Sequence, residues 1–99
     1  MGYMTRYSLY TRPGIDNLEK EPELQDLGFY GSAGFYDADE RMKWYMHQDD
    51  MLTVSSRYPD VLFILDGDGE ESGDIWRKFF QNGKMLREWK VNTERPENP

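Results

Sequence analysis

Asp66-Gly67-Asp68-Gly69-Glu70-Glu71 spaces carboxylates along a glycine-rich stretch, a donor pattern that suits a hard cation such as calcium. The EF-hand frame does not fit it, since glycine would be needed where Glu71 stands and a bidentate acid where Arg77 stands. The stretch therefore reads as an acidic turn whose carboxylates, with Asp74, stand in solvent or meet basic groups on a partner. His47 is the only histidine and the chain has no cysteine, which removes thiolate catalysis, disulfides and cysteine-type zinc or iron–sulfur sites. No serine sits in a nucleophile-elbow setting, so His47 reads as a satisfied histidine at the edge of a core rather than a general base. Asp37, Asp39, Asp66 and Glu70 could form a hydrolytic carboxylate pair only if folding brought two of them together. No catalytic residue, metal ligand or cofactor is assigned, and the chemistry that remains is binding.

The chain has 99 residues, enough for one modest core, and is expected to form a single domain over residues 1–91. Nineteen acidic residues against 12 basic ones give a net charge of -7. That balance disfavours direct binding to nucleic acid phosphates or anionic lipid and favours partners with basic protein surfaces. Nothing approaches the roughly 20 apolar residues of a membrane span, and the absence of cysteine suits a reducing compartment, so a cytoplasmic location is expected.

The elements that must position these residues follow from patterning. Residues 4–11 mix aromatic and β-branched side chains and stop at Arg12-Pro13-Gly14, as a strand does. Residues 15–27 carry Asp16, Glu19, Glu21, Glu23 and Asp26 around Pro22 and read as a long, mobile acidic connection with at most a short helix. Residues 28–36 read as one second strand whose glycines mark a bulge or a close backbone approach. Asp37 and Glu40 have capping-box spacing, and a helix of about four turns fits between them and Pro59, with Trp44, Tyr45, Met51, Leu52, Val54 and Tyr58 on one stripe. Met42 and Met46 fall outside that stripe.

Val61 to Val91 then reads as a three-strand meander. Val61-Leu62-Phe63-Ile64-Leu65 is continuously apolar, as a central strand is, and a strand–helix–strand unit before it implies a parallel crossover. Asn82-Gly83 favours a two-residue type I′ turn that pairs Gln81 with Lys84. An unbroken register from there sets Phe79 opposite Leu86, Lys78 opposite Arg87, Arg77 opposite Glu88 and Trp76 opposite Trp89. A four-residue turn at Glu70-Glu71-Ser72-Gly73 sets Asp66 opposite Arg77. The fold class is α+β, a mixed and mostly antiparallel sheet of about five strands in the order ββαβββ with one amphipathic helix on one face. Residues 92–99 are expected to be a disordered tail.

Lys43-Trp44-Tyr45, His47, Asp50-Met51, Ser55, Tyr58-Pro59-Asp60-Val61-Leu62-Phe63, Leu65, Gly67, Gly69-Glu70-Glu71, Gly73-Asp74-Ile75-Trp76, Phe80 and Asn82-Gly83-Lys84 form a string spanning about residues 43–84. It resembles the core of small proteins from bacteriophages, prophages and plasmids, which carry no established chemistry. Small acidic phage proteins include inhibitors of host defence nucleases, of the anti-CRISPR and anti-restriction types. The resemblance thus implies stoichiometric binding to a host or phage protein.

Both faces of the expected sheet are partly apolar and one helix covers only one of them. The second face is covered by the acidic connection, by a partner, or by another copy of the chain in a homodimer or phage assembly. The expected partner contacts are Asp66, Asp68, Glu70, Glu71 and Asp74 of the turn, together with the acidic connection over residues 15–27, around an aromatic anchor, Trp76 or Trp89. A small metal-binding domain is the third reading.

Overall fold

The computed structural model describes residues 3–38 and 40–90. Its strands are β1 (Thr5–Arg12), β2 (Phe29–Ser32), β3 (Phe35–Ala38), β4 (Leu62–Gly69), β5 (Ile75–Gln81) and β6 (Lys84–Lys90), with one α-helix, α1 (His47–Arg57), and a short 3-10 helix at Leu18–Lys20 in the acidic connection. They form one sheet in the order β2-β3-β1-β4-β5-β6, in which every neighbouring pair is antiparallel. The α+β class and the single helix on a sheet are as the sequence predicts.

The expected parallel neighbours are absent because β1 lies between β3 and β4. Those two strands do run in the same direction on either side of it, so the crossover through α1 spans one intervening strand. The sixth strand arises because residues 28–36 fold as a hairpin rather than one strand. Ala33 and Gly34, both at positive φ, make its two-residue turn and set Ser32 opposite Phe35.

The helix starts nine residues later than the capping-box spacing suggests, with Met46 rather than Asp37 at its N-cap. Asp37 lies in β3, and its carboxylate takes hydrogen bonds from Ser8 Oγ and the Ala38 backbone N–H. Between β3 and α1 the chain runs beside β1, where Met42 and Thr5 exchange backbone hydrogen bonds of 2.8 and 2.9 Å. Trp44 is buried from that irregular segment, whereas Tyr45, expected on the buried stripe, is 67% exposed. Met42 is half-buried against the core and Met46 is exposed.

α1 packs on β4, β5 and β6 through the fully buried Met51 and Val54. The buried Ser55 hydroxyl accepts from Gly83 N–H at 3.0 Å, tying the Asn82-Gly83 turn to the helix. The acidic connection covers the rest of the same face. Leu18 and Leu24 are buried in the common core with Tyr36, and the Tyr36 hydroxyl donates to Ile15 O at 2.6 Å while accepting from Leu18 N–H. Arg57, at the end of α1, closes the connection with bonds of 2.8 Å to Glu21 and 2.7 and 2.8 Å to Glu23. This segment, predicted mobile, is an ordered part of the core layer, because the sequence count of its acids overlooks two leucines that have a sheet to cover.

Register in the last hairpin follows the type I′ turn for two pairs, Gln81 with Lys84 and Phe80 with Met85, and then shifts at a β-bulge. Leu86 is the extra residue. Beyond it Phe79 faces Arg87, Lys78 faces Glu88, Arg77 faces Trp89 and Trp76 faces Lys90. The expected Trp76–Trp89 and Arg77–Glu88 pairs are therefore not formed, and Trp76 and Trp89 lie on opposite faces. The other turn is as predicted: residues 70–73 separate Gly69 from Asp74, and Asp66 faces Arg77. The expected tail at residues 92–99 lies outside the described residues.

If the acidic connection is core rather than a mobile loop, Leu24→Ala will lower the unfolding free energy by about 2–5 kcal/mol in urea denaturation. A surface loop would lose under about 0.5 kcal/mol.

Candidate functional site

Two surfaces carry the chemistry, one on each face of the sheet. On the helix face, a cleft of about 250 Å³ opens where α1 begins, with Tyr7, Trp44, His47 and Trp76 as its walls and Tyr3, Tyr45 and Asp74 at its mouth. The sequence places rings there because Tyr7 on β1 and Trp76 on β5 both point to the helix side of the sheet with Gly67 between them on β4. A Cβ on Gly67 would stand inside the Trp76 indole, so the indole lies directly on the glycine backbone. A Cβ on Gly69 would likewise meet the Asp74 carboxylate and the Tyr3 hydroxyl. The Gly67-Asp68-Gly69 spacing, which suggests a cation loop in the sequence, is instead a seat for one ring and one hydrogen-bonded pair.

The walls are interlocked. Tyr7 meets Trp44 edge-on at 5.1 Å between centroids and Trp76 at 5.9 Å, while His47 stacks on Trp76 at 5.0 Å. The Trp44 carbonyl accepts from the Tyr7 hydroxyl at 3.3 Å, from His47 N–H at 3.2 Å and from His47 Nδ1 at 3.0 Å. With Nδ1 donating, His47 Nε2 is the acceptor, and the Lys78 ammonium donates to it at 2.8 Å while resting 4.6 Å from the Trp76 ring centroid. Burial, and then the adjacent Lys78 charge, hold His47 below its usual pKa; burial also lowers that of Lys78. Both His47 nitrogens are thus engaged, and it works as a linchpin between helix and sheet. Asp50 accepts from Trp44 Nε1 at 2.7 Å and fixes the other side of that indole.

At the mouth, the Tyr3 hydroxyl donates to Asp74 Oδ2 at 2.6 Å and accepts from Glu71 N–H at 3.0 Å. That bond to the Asp74 carboxylate raises the Tyr3 pKa. Glu70 accepts from Met4 N–H at 2.9 Å, so the acidic turn is bound to the start of β1.

The opposite face of the sheet is uncovered by any described residue. It carries Tyr10, Phe35, Ile64 and Phe79 across its middle, with Ile75 and Trp89 toward the β6 edge. Leu86 is 54% and Trp89 48% exposed. Polar groups are interleaved: Arg77 grips Asp66 with two bonds of 2.6 and 2.9 Å, and Arg6 reaches Asp37 at 3.4 Å. Arg77 lies over Tyr10 at 5.7 Å and Arg87 over Phe79 at 5.5 Å.

Of the residues expected to contact a partner, Asp66, Asp68 and Trp89 share this uncovered face. Trp76 does not serve as an exposed anchor: it is 8% exposed and forms a wall of the helix-face cleft. Glu70 and Asp74 are turned to the other side, held by Met4 and Tyr3, and Glu71 is exposed at the tip of the turn. The acidic turn and the acidic connection also lie at opposite ends of the sheet, by Gly69 beside Thr5 and beyond Arg12 beside Leu62. They cannot flank one anchor. Among the described residues, no three histidine or carboxylate side chains converge as ligands for a metal ion. The sequence places Tyr45 in the core and assigns no part to Tyr3; the signal for the cleft is Gly67 opposite Tyr7 and Trp76 on the neighbouring strands.

No family model, curated protein or solved structure matches the chain. Among the described residues, no helix is long and apolar enough to cross a membrane.

Gly67→Ala will destabilise the protein by about 1–3 kcal/mol in denaturant titration, because the rigid indole cannot yield to the added methyl group. The His47 contact adds a pH dependence. Folding holds the His47 pKa below its ordinary 6.5, so the unfolded chain binds the proton more readily. That stability is complete above about pH 6.5 and is lost as pH falls through the lower folded value. The melting temperature will drop between about pH 7 and pH 5.5, and His47→Gln will flatten the drop in the same window.

Proposed function

We propose that the protein acts by stoichiometric binding to another protein through the uncovered sheet face, with Trp89 as its principal anchor. The observation that carries this reading is the position of Trp89 and Leu86, two large apolar side chains about half exposed on an otherwise ordered edge strand. Exposed aromatic groups beside arginine are the side chains that dominate protein interfaces. The Arg77–Asp66 and Arg6–Asp37 pairs around them give the face both signs of charge, so it selects a partner by matching polar positions rather than by bulk attraction. Asp68, exposed on the same face, is the carboxylate placed to meet a basic group on that partner.

The resemblance to small phage and prophage proteins makes a host protein the class to test first, with defence nucleases and nucleic-acid-binding proteins foremost. A second copy of the chain is the alternative occupant. Edge-to-edge pairing through β6 is the less favourable route to it, since Lys84, Arg87, Glu88 and Lys90 and the bulge at Leu86 disrupt that edge.

Affinity capture from bacterial lysate at low and high salt, with mass spectrometry of the retained proteins, tests this reading. One host protein should be captured by the native chain, and Trp89→Ala should weaken its binding by about 30-fold or more, as loss of an interface anchor does. Asp68→Asn should have a smaller effect that fades at high salt. Equal capture by the Trp89→Ala protein would remove this face from the interface, and recovery of the chain alone would favour the homodimer.

A further inference from the structure

We propose that the helix-face cleft binds an alkylated ammonium group, seated among the rings of Tyr3, Tyr7, Trp44, Tyr45 and Trp76 and against the Asp74 carboxylate. The inference is independent of the protein-binding reading, because the cleft and the uncovered sheet face lie on opposite sides of the sheet. A volume of about 250 Å³ suits a small head group, being below the roughly 300–1,000 Å³ of sites for whole drug-sized ligands. Its lining fixes the sign of the charge. Aromatic side chains make up most of the lining, Asp74 adds a formal negative charge, and among the described residues no lysine or arginine lines the space.

The same lining favours a cation that needs few hydrogen bonds. A primary ammonium would have to place three donors, whereas the Tyr3 hydroxyl is already bonded both as donor and as acceptor and Asp74 is the one charged acceptor in the lining. A fully methylated ammonium donates none and is weakly hydrated, so enclosure by rings replaces its water at little loss. The Trp76 ring already has the Lys78 ammonium 4.6 Å from its centroid, which shows that the cluster accommodates a cation. Lys78 also repels a second one, and that places the ligand's charge toward the Tyr3–Asp74 mouth, away from the His47 wall. Gly69 is what lets that mouth form, since any side chain there would occupy the space of the Tyr3 hydroxyl and the Asp74 carboxylate.

NMR titration of the whole protein with tetramethylammonium, following the three indole N–H signals, tests the proposal. Neopentyl alcohol, of similar shape and without charge, is the control. Saturable shifts of Trp44 and Trp76, with Trp89 unmoved, are expected from the cation, and binding of the neutral compound should be at least about fivefold weaker. Tyr45→Ala and Asp74→Asn should each weaken the cation by about threefold or more. Both residues are at the solvent-facing mouth, and an unchanged pattern for the remaining amide signals verifies the fold of each variant. The absence of saturable shifts up to about 50 mM, equal response to the neutral compound, or indifference to both substitutions would overturn the proposal. Choline and a trimethyl-lysine peptide then separate the sources: tighter binding of the peptide identifies a methylated protein, and tighter binding of choline a free or lipid head group.

Discussion

A single α-helix is about 10 Å wide, and the outer strands of a six-stranded sheet are about 24 Å apart. One helix therefore covers two or three strands, and this mismatch governs the rest of the molecule. α1 takes β4, β5 and β6, so the other half of that face has to be closed by connecting chain, which includes the single 3-10 turn Leu18–Lys20. Leu18 and Leu24 from the acidic connection and Trp44 from the segment before the helix do so. The cleft lies beyond the first turn of α1, where aromatic walls remain and the covering chain stops. No described element packs on the second face, and Phe35, Ile75 and Trp89 there are left at the surface while Ile64 is buried among its neighbours.

Local signals carry the parts of this arrangement that are legible in the sequence. Asn82-Gly83, the four-residue acidic turn and the apolar run of β4 each act over a few residues, and they place Asp66 opposite Arg77 and the last three strands in order. What fails is the information held by distant parts of the chain. The insertion of β1 between β3 and β4 is a pairing across more than fifty residues, with no local mark. Asp37 has the spacing of a helix cap, yet Ser8 and Arg6 on β1 give its carboxylate partners in a strand. Trp44 matches the buried stripe of a helix because it is buried, although it precedes the helix. The cleft is the hardest feature to foresee. Its residues come from the amino terminus, the pre-helix segment and β5, and only the glycines beneath them record that something must lie close.

Charge is distributed to suit this layering. The acids of the connection are used at the helix terminus, where Arg57 binds Glu21 and Glu23 and holds Glu23 below the usual carboxylate range. Those of the turn hold the first residues of β1. Exposed ion pairs of this kind add little stability singly. Their service here is to fix two irregular segments over a face that the helix leaves bare. On the uncovered face Arg6 and Arg77 pair with aspartates, and Arg77 and Arg87 lie over rings, so a strongly acidic protein presents both signs of charge on that side.

The extra residue at Leu86 has a consequence for how this surface could change in evolution. Side chains alternate along a strand, so parity decides which face each one joins. With the bulge, Trp89 is counted to the outer side; an unbroken ladder of the same residues would have turned it inward beside Trp76. Removing Leu86 would straighten the strand while leaving the count beyond it unchanged, whereas flattening the bulge with its residue retained would exchange the two sides. The composition of the outer face at this edge thus depends on the bulge as much as on residue type, and loss of the bulge alone can rewrite it without a single substitution.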